Sequence, residues 1–195
     1  MFAPSPVTLF QRYGAAIAAV KHTQRVLPHG AANLPGGPSD KHQRLLALWD
    51  AYKTVKSEDM RERTVACSQL AREHGVGNCG EQASVAYVFL TGNLTHAIRP
   101  ISYCLIPESD EGNHSFVVLG PCSKGGNETL LNWGPQTVIC DPWLCQAATR
   151  TVKPSKLPMV PLYDQAGAYT PSLFGNALKE MFPGWSKIKI LHTDV

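Results

Sequence analysis

Long apolar runs are missing from this sequence. No stretch approaches the roughly 20 consecutive apolar residues that a membrane-spanning helix needs, so no span is predicted. Charge is sparse too: 17% of the 195 residues are charged, and the formal net charge is only +3. With no basic run interleaved with aromatics, this balance argues against a nucleic-acid partner. The first residues, Met1-Phe2-Ala3-Pro4-Ser5-Pro6, lack a basic segment followed by an apolar one, so no Sec-type signal is read there. A short leader containing Pro and Ser suits a different export route. There is no CxxC and no His/Cys cluster at metal-ligand spacing, which argues against a structural zinc site. Internal repeats and low-complexity tracts are absent.

Six cysteines are present, but not at the spacing of a disulfide framework. Cys67 falls on a helical apolar face with Met60, Leu70 and Ala71, and Cys104 and Cys140 lie in apolar strand-like runs. Buried free cysteine behaves as a small hydrophobe. The usage fits a mostly reduced protein, with Cys140–Cys145 and Cys104–Cys122 left as pairs that an oxidising setting could close.

The chain is long enough for one domain with a real core, with room for an N-terminal extension. Phe10, Tyr13, Ile17 and Val20 recur at helical spacing between Val7 and Val26. Leu27 to Pro38 is rich in Gly and Pro and reads as a loop or linker. Ser39-Asp40 offers an N-cap for a helix over Lys41 to Lys56, with Leu45, Leu46, Leu48, Trp49 and Tyr52 as its apolar face. Ser57-Glu58-Asp59 opens another, which ends near His74 before Gly75. A further helical segment runs from about Cys79 to Leu90. The pattern then turns to strands: Ala97 to Ile106, Ser115 to Leu119, Thr129 to Asn132 and Thr137 to Cys140. Pro142 to Thr149 predicts a brief helix or turn, Lys153 to Tyr169 an irregular crossing, Ser172 to Phe182 a helix, and Ile188 to Leu191 a closing strand. Helices first and strands later argue for an α+β protein, a helical N-terminal half packed on an antiparallel sheet.

One stretch reads as chemistry. In Gly77-Asn78-Cys79-Gly80-Glu81-Gln82, a cysteine sits between small residues where a loop enters a helix. The thiolate is the attacking species, and a helix N-terminus and an imidazolium partner both favour it. Gly77 and Gly80 leave room for substrate, and first-turn N–H groups can hold an oxyanion. Among seven histidines, His114 alone follows a polar turn-like segment and immediately precedes an apolar strand; His96 is the runner-up. Asp141 ends another apolar run and is placed to accept the other ring N–H and fix the tautomer. Pro142 turns the chain away there. Glu81 reads as a first-turn helix charge. Asn78 and Gln82 are candidates for oxyanion contact, although spacing puts Gln82 on the helix surface. Trp133 and Trp143 read as packing residues, with Trp143 close enough to shield Asp141 from water.

The blocks Gly77-Asn78-Cys79-Gly80-Glu81, His114-Ser115-Phe116-Val117-Val118 and Cys140-Asp141-Pro142-Trp143 resemble the papain-like Cys-His-Asp effectors. Among these they are most similar to the deamidase domain at the C-terminus of Pasteurella multocida toxin and to related secreted bacterial effectors. The resemblance covers residues 77–145. It implies a papain-like catalytic domain over 39–195, behind an N-terminal helix and Gly/Pro-rich linker over 1–38. It implies Cys79 as nucleophile, His114 as base and Asp141 as orienting acid, with no cofactor. The implied substrate is a glutamine, or sometimes asparagine, side chain on a host protein: a GTPase, a G-protein subunit or a ubiquitin-pathway component. The implied setting is secretion by a bacterium without a Sec-type signal and action in the host cytoplasm. One position departs: papain-type proteases place an oxyanion-hole glutamine about six residues before the cysteine, where this chain has Glu73. A cysteine protease, a transglutaminase and a non-catalytic host-protein binding module remain open on the same scaffold. No basic cleft suited to a coenzyme favours an arylamine-type acyltransferase.

Overall fold

A computed structural model describes residues 6–93, 98–109, 112–122, 133–150, 167–181 and 188–195. Four helices come first: α1 (Pro6–Val26), α2 (Lys41–Tyr52), α3 (Met60–His74) and α4 (Cys79–Asn93). They are followed by β1 (Ile101–Ser109), β2 (Gly112–Leu119), β3 (Val138–Cys140), α5 (Pro142–Arg150), β4 (Ala168–Tyr169), α6 (Pro171–Met181) and β5 (Lys189–Asp194). The five strands form one sheet in the order β4-β3-β2-β1-β5, and every neighbouring pair is antiparallel. The protein is therefore of the α+β class. No helix among the described residues is long and apolar enough to cross a membrane.

Local chemistry sets the helix ends. The Asp59 side chain accepts the Arg61 N–H and caps α3, and Gly75 ends it in the left-handed region at φ 68°. α4 carries buried residues around most of its circumference, including Ala83, Val85, Ala86, Tyr87 and Leu90. A helix apolar all round belongs inside a protein, and α4 touches α1, α3, α5, β1 and β2. It is the central element, and its first residue is Cys79.

The sheet is covered on both faces. Along β2, Val117 and Leu119 join one apolar cluster with α1 and α4, while Phe116 and Val118 join a second with Trp133, Trp143 and Phe174. A strand buried on both sides reads as an unbroken apolar run, which is why Ser115 to Leu119 stood out in the sequence.

Of the expected apolar face of α1, Val20 is buried in the core and Tyr13 and Ile17 pack against it, while Phe10 is 83% exposed. Arg12, Ala15, Ala16, Ala19 and Thr23 are buried beside them. The small side chains let α1 lie close to α4 and β3. Ala15, Ala16, Ala19 and Val20 share a core cluster with Val117, Leu119 and Val138, so residues before 39 pack together with those after it. α2 ends at Tyr52, short of Lys56, and only its Leu45 and Leu48 are buried; Leu46 and Trp49 face outward. Ala168–Tyr169 is a strand, not part of an irregular crossing. Two residues are too few to show periodicity. The expected strand over Thr129 to Asn132, and most of the crossing from Lys153, lie outside the described residues. None of the six cysteines is joined to another. Burial, and after it the charge of Glu81, push the Cys67 thiol up to about 12.

Arg12 ties the helical layer to the sheet. Arg12 is 5% exposed, and its guanidinium donates to the carbonyls of Ile98 (3.3 Å), Gln136 (2.8 Å) and Arg99 (3.0 Å). Gly120, at φ 101°, leaves the space for it: a Cβ there would stand 2.9 Å from the Gln136 oxygen and 3.0 Å from Arg12 Cζ. Replacing Arg12 by Leu strands these carbonyls. Arg12→Leu should lower stability by roughly 1.5–3 kcal/mol, the scale of charged hydrogen bonds, read as a lower urea midpoint at unchanged slope.

Candidate active site

The position of Cys79 is built by the turn that starts α4. The Gln82 N–H bonds the Asn78 carbonyl at 3.0 Å, which makes Asn78 the cap residue and Cys79 the first residue of the helix. Glu81 folds back, and its Oε2 accepts the Asn78 N–H at 2.8 Å, the reciprocal half of a capping box. Its Oε1 accepts the Trp49 indole N–H at 2.9 Å. Gly77 is required by this fold-back, because a Cβ there would lie 2.4 Å from Glu81 Cβ. Gly80 is different: a Cβ there would meet nothing within 4 Å, so the ground beside the cysteine is open. The amides of this first turn have no carbonyl one turn back to bond, and they carry the positive end of the helix dipole.

His114 sits in β2 opposite Ile106 of β1 and is 1% exposed. Its Nε2 lies 2.5 Å from Asp141 Oδ2, and Asp141 is fully buried. That leaves Nδ1 as the ring atom for the sulfur, and Cys79 is among the groups close enough to act on the charge of the imidazole. The thiol also lies 3.8 Å from the Asn113 carbonyl. Burial opposes charging of this ring. The Asp141 carboxylate, by charge and by hydrogen bond, and then the Cys79 sulfur outweigh it and raise the His114 pKa to about 10. The site is therefore built to hold an imidazolium.

Asp141 is fixed from several sides. Its Oδ1 accepts the Leu144 N–H at 2.9 Å and so caps α5, with Pro142 at the first helical position. Its own N–H donates to the Gly167 carbonyl at 2.9 Å. Trp143 lies with its ring 5.2 Å from that of His114, and Phe116 and Phe174 add apolar walls at 6.1 and 6.5 Å. Trp133 packs on Phe116. Both tryptophans are buried, as expected of packing residues.

The structure thus brings Cys79, His114 and Asp141 together. The runner-up, His96, lies outside the described residues. His22 stacks on Phe89, and His192 bonds Thr64, both in other surroundings. Gln82 is not on the helix surface: it is fully buried, and its Nε2 donates to the Gly77 carbonyl (2.9 Å) and Gln146 Oε1 (3.2 Å). A polar residue inside a helix buried on all sides has to satisfy itself internally, and the apolar surroundings of α4 were the available signal. Gln146 Oε1 also accepts the Ala31 N–H at 3.1 Å, which pins the loop 27–38 to this region. Asn78 spends its Oδ1 on the Asn33 N–H at 3.1 Å, and Trp143 donates its indole N–H to Asn33 Oδ1 at 3.0 Å. Sequence reasoning passed over Asn33, because one asparagine in a Gly/Pro-rich loop carries no motif. Glu73 is exposed on α3 and accepts from Gln69 at 2.9 Å. Among the described residues no group of three His, Cys, Asp or Glu side chains converges as a metal site.

The raised pKa of His114 sets a sign. A group that titrates near 6.5 when unfolded and near 10 when folded stabilises fully below about pH 6.5 and loses that contribution as the pH climbs toward 10. The melting temperature of the wild type should therefore fall toward that of Asp141→Asn across this window. A gap between the two that stayed constant with pH would show that the pair is not charged.

Among known proteins, no family model, no curated protein and no solved structure matches this chain.

Proposed function

We propose that the protein is a thiol-dependent amidohydrolase that deamidates a glutamine, or an asparagine, side chain on another protein. The observation that supports this best is the buried His114–Asp141 pair at 2.5 Å beside a cysteine on the first turn of α4. In this reading the Cys79 sulfur attacks the carboxamide carbon with the proton already held on His114. The C–S bond forms, and the oxyanion is held by the first-turn N–H groups. The His114 imidazolium gives its proton to the leaving nitrogen, the C–N bond breaks, and ammonia departs from a thioester. His114 then draws a proton from water, which attacks the thioester, releases the carboxylate and restores the thiolate. Asp141 holds the ring and its charge throughout. No cofactor enters these steps.

The finer reading rests on the resemblance of the three motif blocks to papain-like Cys-His-Asp effectors. On that ground the protein is an effector secreted by a bacterium without a Sec-type signal, and it acts in the host cytoplasm on a GTPase, a G-protein subunit or a ubiquitin-pathway protein. The exposed Glu73, standing where papain-type peptidases have their glutamine, weighs against an ordinary peptidase.

Intact mass spectrometry of candidate host proteins after incubation separates the readings. Exchange of an amide –NH2 for –OH marks deamidation, fragments mark a protease, and an adduct with an amine marks a transglutaminase. Cys79→Ala should abolish the change with no loss of melting temperature, and Asp141→Asn should slow it by as much as about 10⁴-fold. A host-cell phenotype undiminished in Cys79→Ala would overturn the enzyme reading in favour of a binding module.

A further inference from the structure

Attack on a carbonyl needs a donor for the oxygen that becomes negative, and backbone amides of α4 supply one part of it. The side chains nearest in sequence to Cys79 are committed elsewhere. Gln82 is fully buried and donates to Gly77 and Gln146, Glu81 is an acceptor bound to Asn78 and Trp49, and Glu73 bonds Gln69 on the exposed face of α3. Asn33 is placed otherwise. Its backbone N–H donates to Oδ1 of Asn78, the residue just before the nucleophile (3.1 Å). Its side-chain Oδ1 accepts from Nε1 of Trp143, the residue lying against the His114 ring (3.0 Å). One residue thus touches the nucleophile's flank and the base's flank together.

The orientation of its carboxamide follows from chemistry. An indole N–H can only donate, so the Asn33 atom facing it must be the oxygen. The NH2 group then points away from Trp143, and among the described residues nothing accepts from it. Asn33 is exposed, so the NH2 group is within reach of a substrate. Cys79 itself packs on the apolar cluster that also contains Ala31, Leu34 and Trp143. The loop is also held in advance. Lys41 Nζ donates to the carbonyls of Ala31, Leu34 and Gly36, and Gln146 accepts the Ala31 N–H. A donor fixed before reaction costs no reorganisation when charge develops.

We propose that Asn33 is a catalytic residue of this site, whose side-chain NH2 donates to the oxyanion formed when Cys79 attacks a carbonyl carbon. The assignment rests on Cys79 being the nucleophile of the reading above. It explains how an oxyanion donor can exist without the glutamine that Glu73 replaces: the donor comes from the Gly/Pro-rich loop instead.

Two reagents separate this role from a structural one. p-Nitrophenyl acetate acylates a thiolate through a tetrahedral oxyanion: the S–C bond forms, the C–O bond to the ring breaks, and p-nitrophenolate leaves. Iodoacetamide alkylates the same sulfur by displacing iodide at a saturated carbon, with no oxyanion. Asn33→Ala and Asn33→Asp should each slow Cys79 acylation by roughly 10²-fold, the scale for loss of one such donor. Alkylation of Cys79, read by peptide mass, should stay at the wild-type rate in both; the melting temperature should hold in Asn33→Asp and drop in Asn33→Ala, which leaves the Trp143 indole N–H without its acceptor. Asn33→Asp keeps an acceptor for Trp143 while it removes the NH2 and adds a negative charge, whose effect on the sulfur the alkylation rate reads separately. Acylation at the wild-type rate in both variants would overturn the proposal, as would acylation and alkylation falling together, which marks a positioning role. A wild type that acylates no faster than Cys79→Ala would remove Cys79 as nucleophile and the Asn33 assignment with it.

Discussion

A carboxylate and an imidazole 2.5 Å apart, both out of water, have to be matched by the rest of the fold. Desolvating two charged groups costs several kcal/mol each unless their geometry is fixed and their remaining lone pairs are satisfied. Much of this architecture can be read as meeting that condition. β3 stops where Asp141 must stand, α5 starts by donating the Leu144 N–H to its second oxygen, and the chain returns at Gly167 to accept its backbone N–H. Gly167 itself is confined: a Cβ there would lie 2.7 Å from Val20 Cγ2 and 3.1 Å from the Asp141 carbonyl oxygen. Trp143, Phe116 and Phe174 close the apolar walls around the ring.

The Cys79 side is arranged on a different principle. Cys79 is held by hydrogen bonds of its neighbours and by few of its own. The Glu81 carboxylate braces the Asn78 N–H against the α2 tryptophan, the glycine at 77 lets it close, and the glycine at 80 leaves the approach open. The contrast has a chemical sense. On the proposed function, a base and its acid need a dry and rigid setting, whereas a nucleophilic sulfur has to meet something that arrives from solution.

What the sequence disclosed, and what it withheld, follows from the range of the forces involved. The cap at Asp59, the stop at Gly75 and the start of α4 at Cys79 are local, written in a few adjacent residues, and were legible. The apolar runs of β2 and β3 announced strands, and the residues beside those runs, His114 and Asp141, were legible through them. The α+β class followed from element order; the finer likeness to papain-like proteins rests on three short blocks. The facing of α1 was legible in Tyr13, Ile17 and Val20 but not in Phe10, and the buried alanines beside them give a weak periodic signal. Gln82 was misread because its partners, Gly77 and Gln146, meet it only in the folded chain. Asn33 was invisible for the same reason: its meaning lies in Asn78 and Trp143, far along the chain.

Asp141 has two employments, since one oxygen orients His114 and the other starts α5. Cys79 has nothing comparable, and its sulfur could be lost with little effect on folding. Drift would therefore act unequally on the two positions. A descendant that abandoned chemistry would shed the sulfur early and keep the acid, because the acid also serves as architecture. In a diverged chain built this way, an aspartate at this place reports descent, and only the cysteine reports occupation.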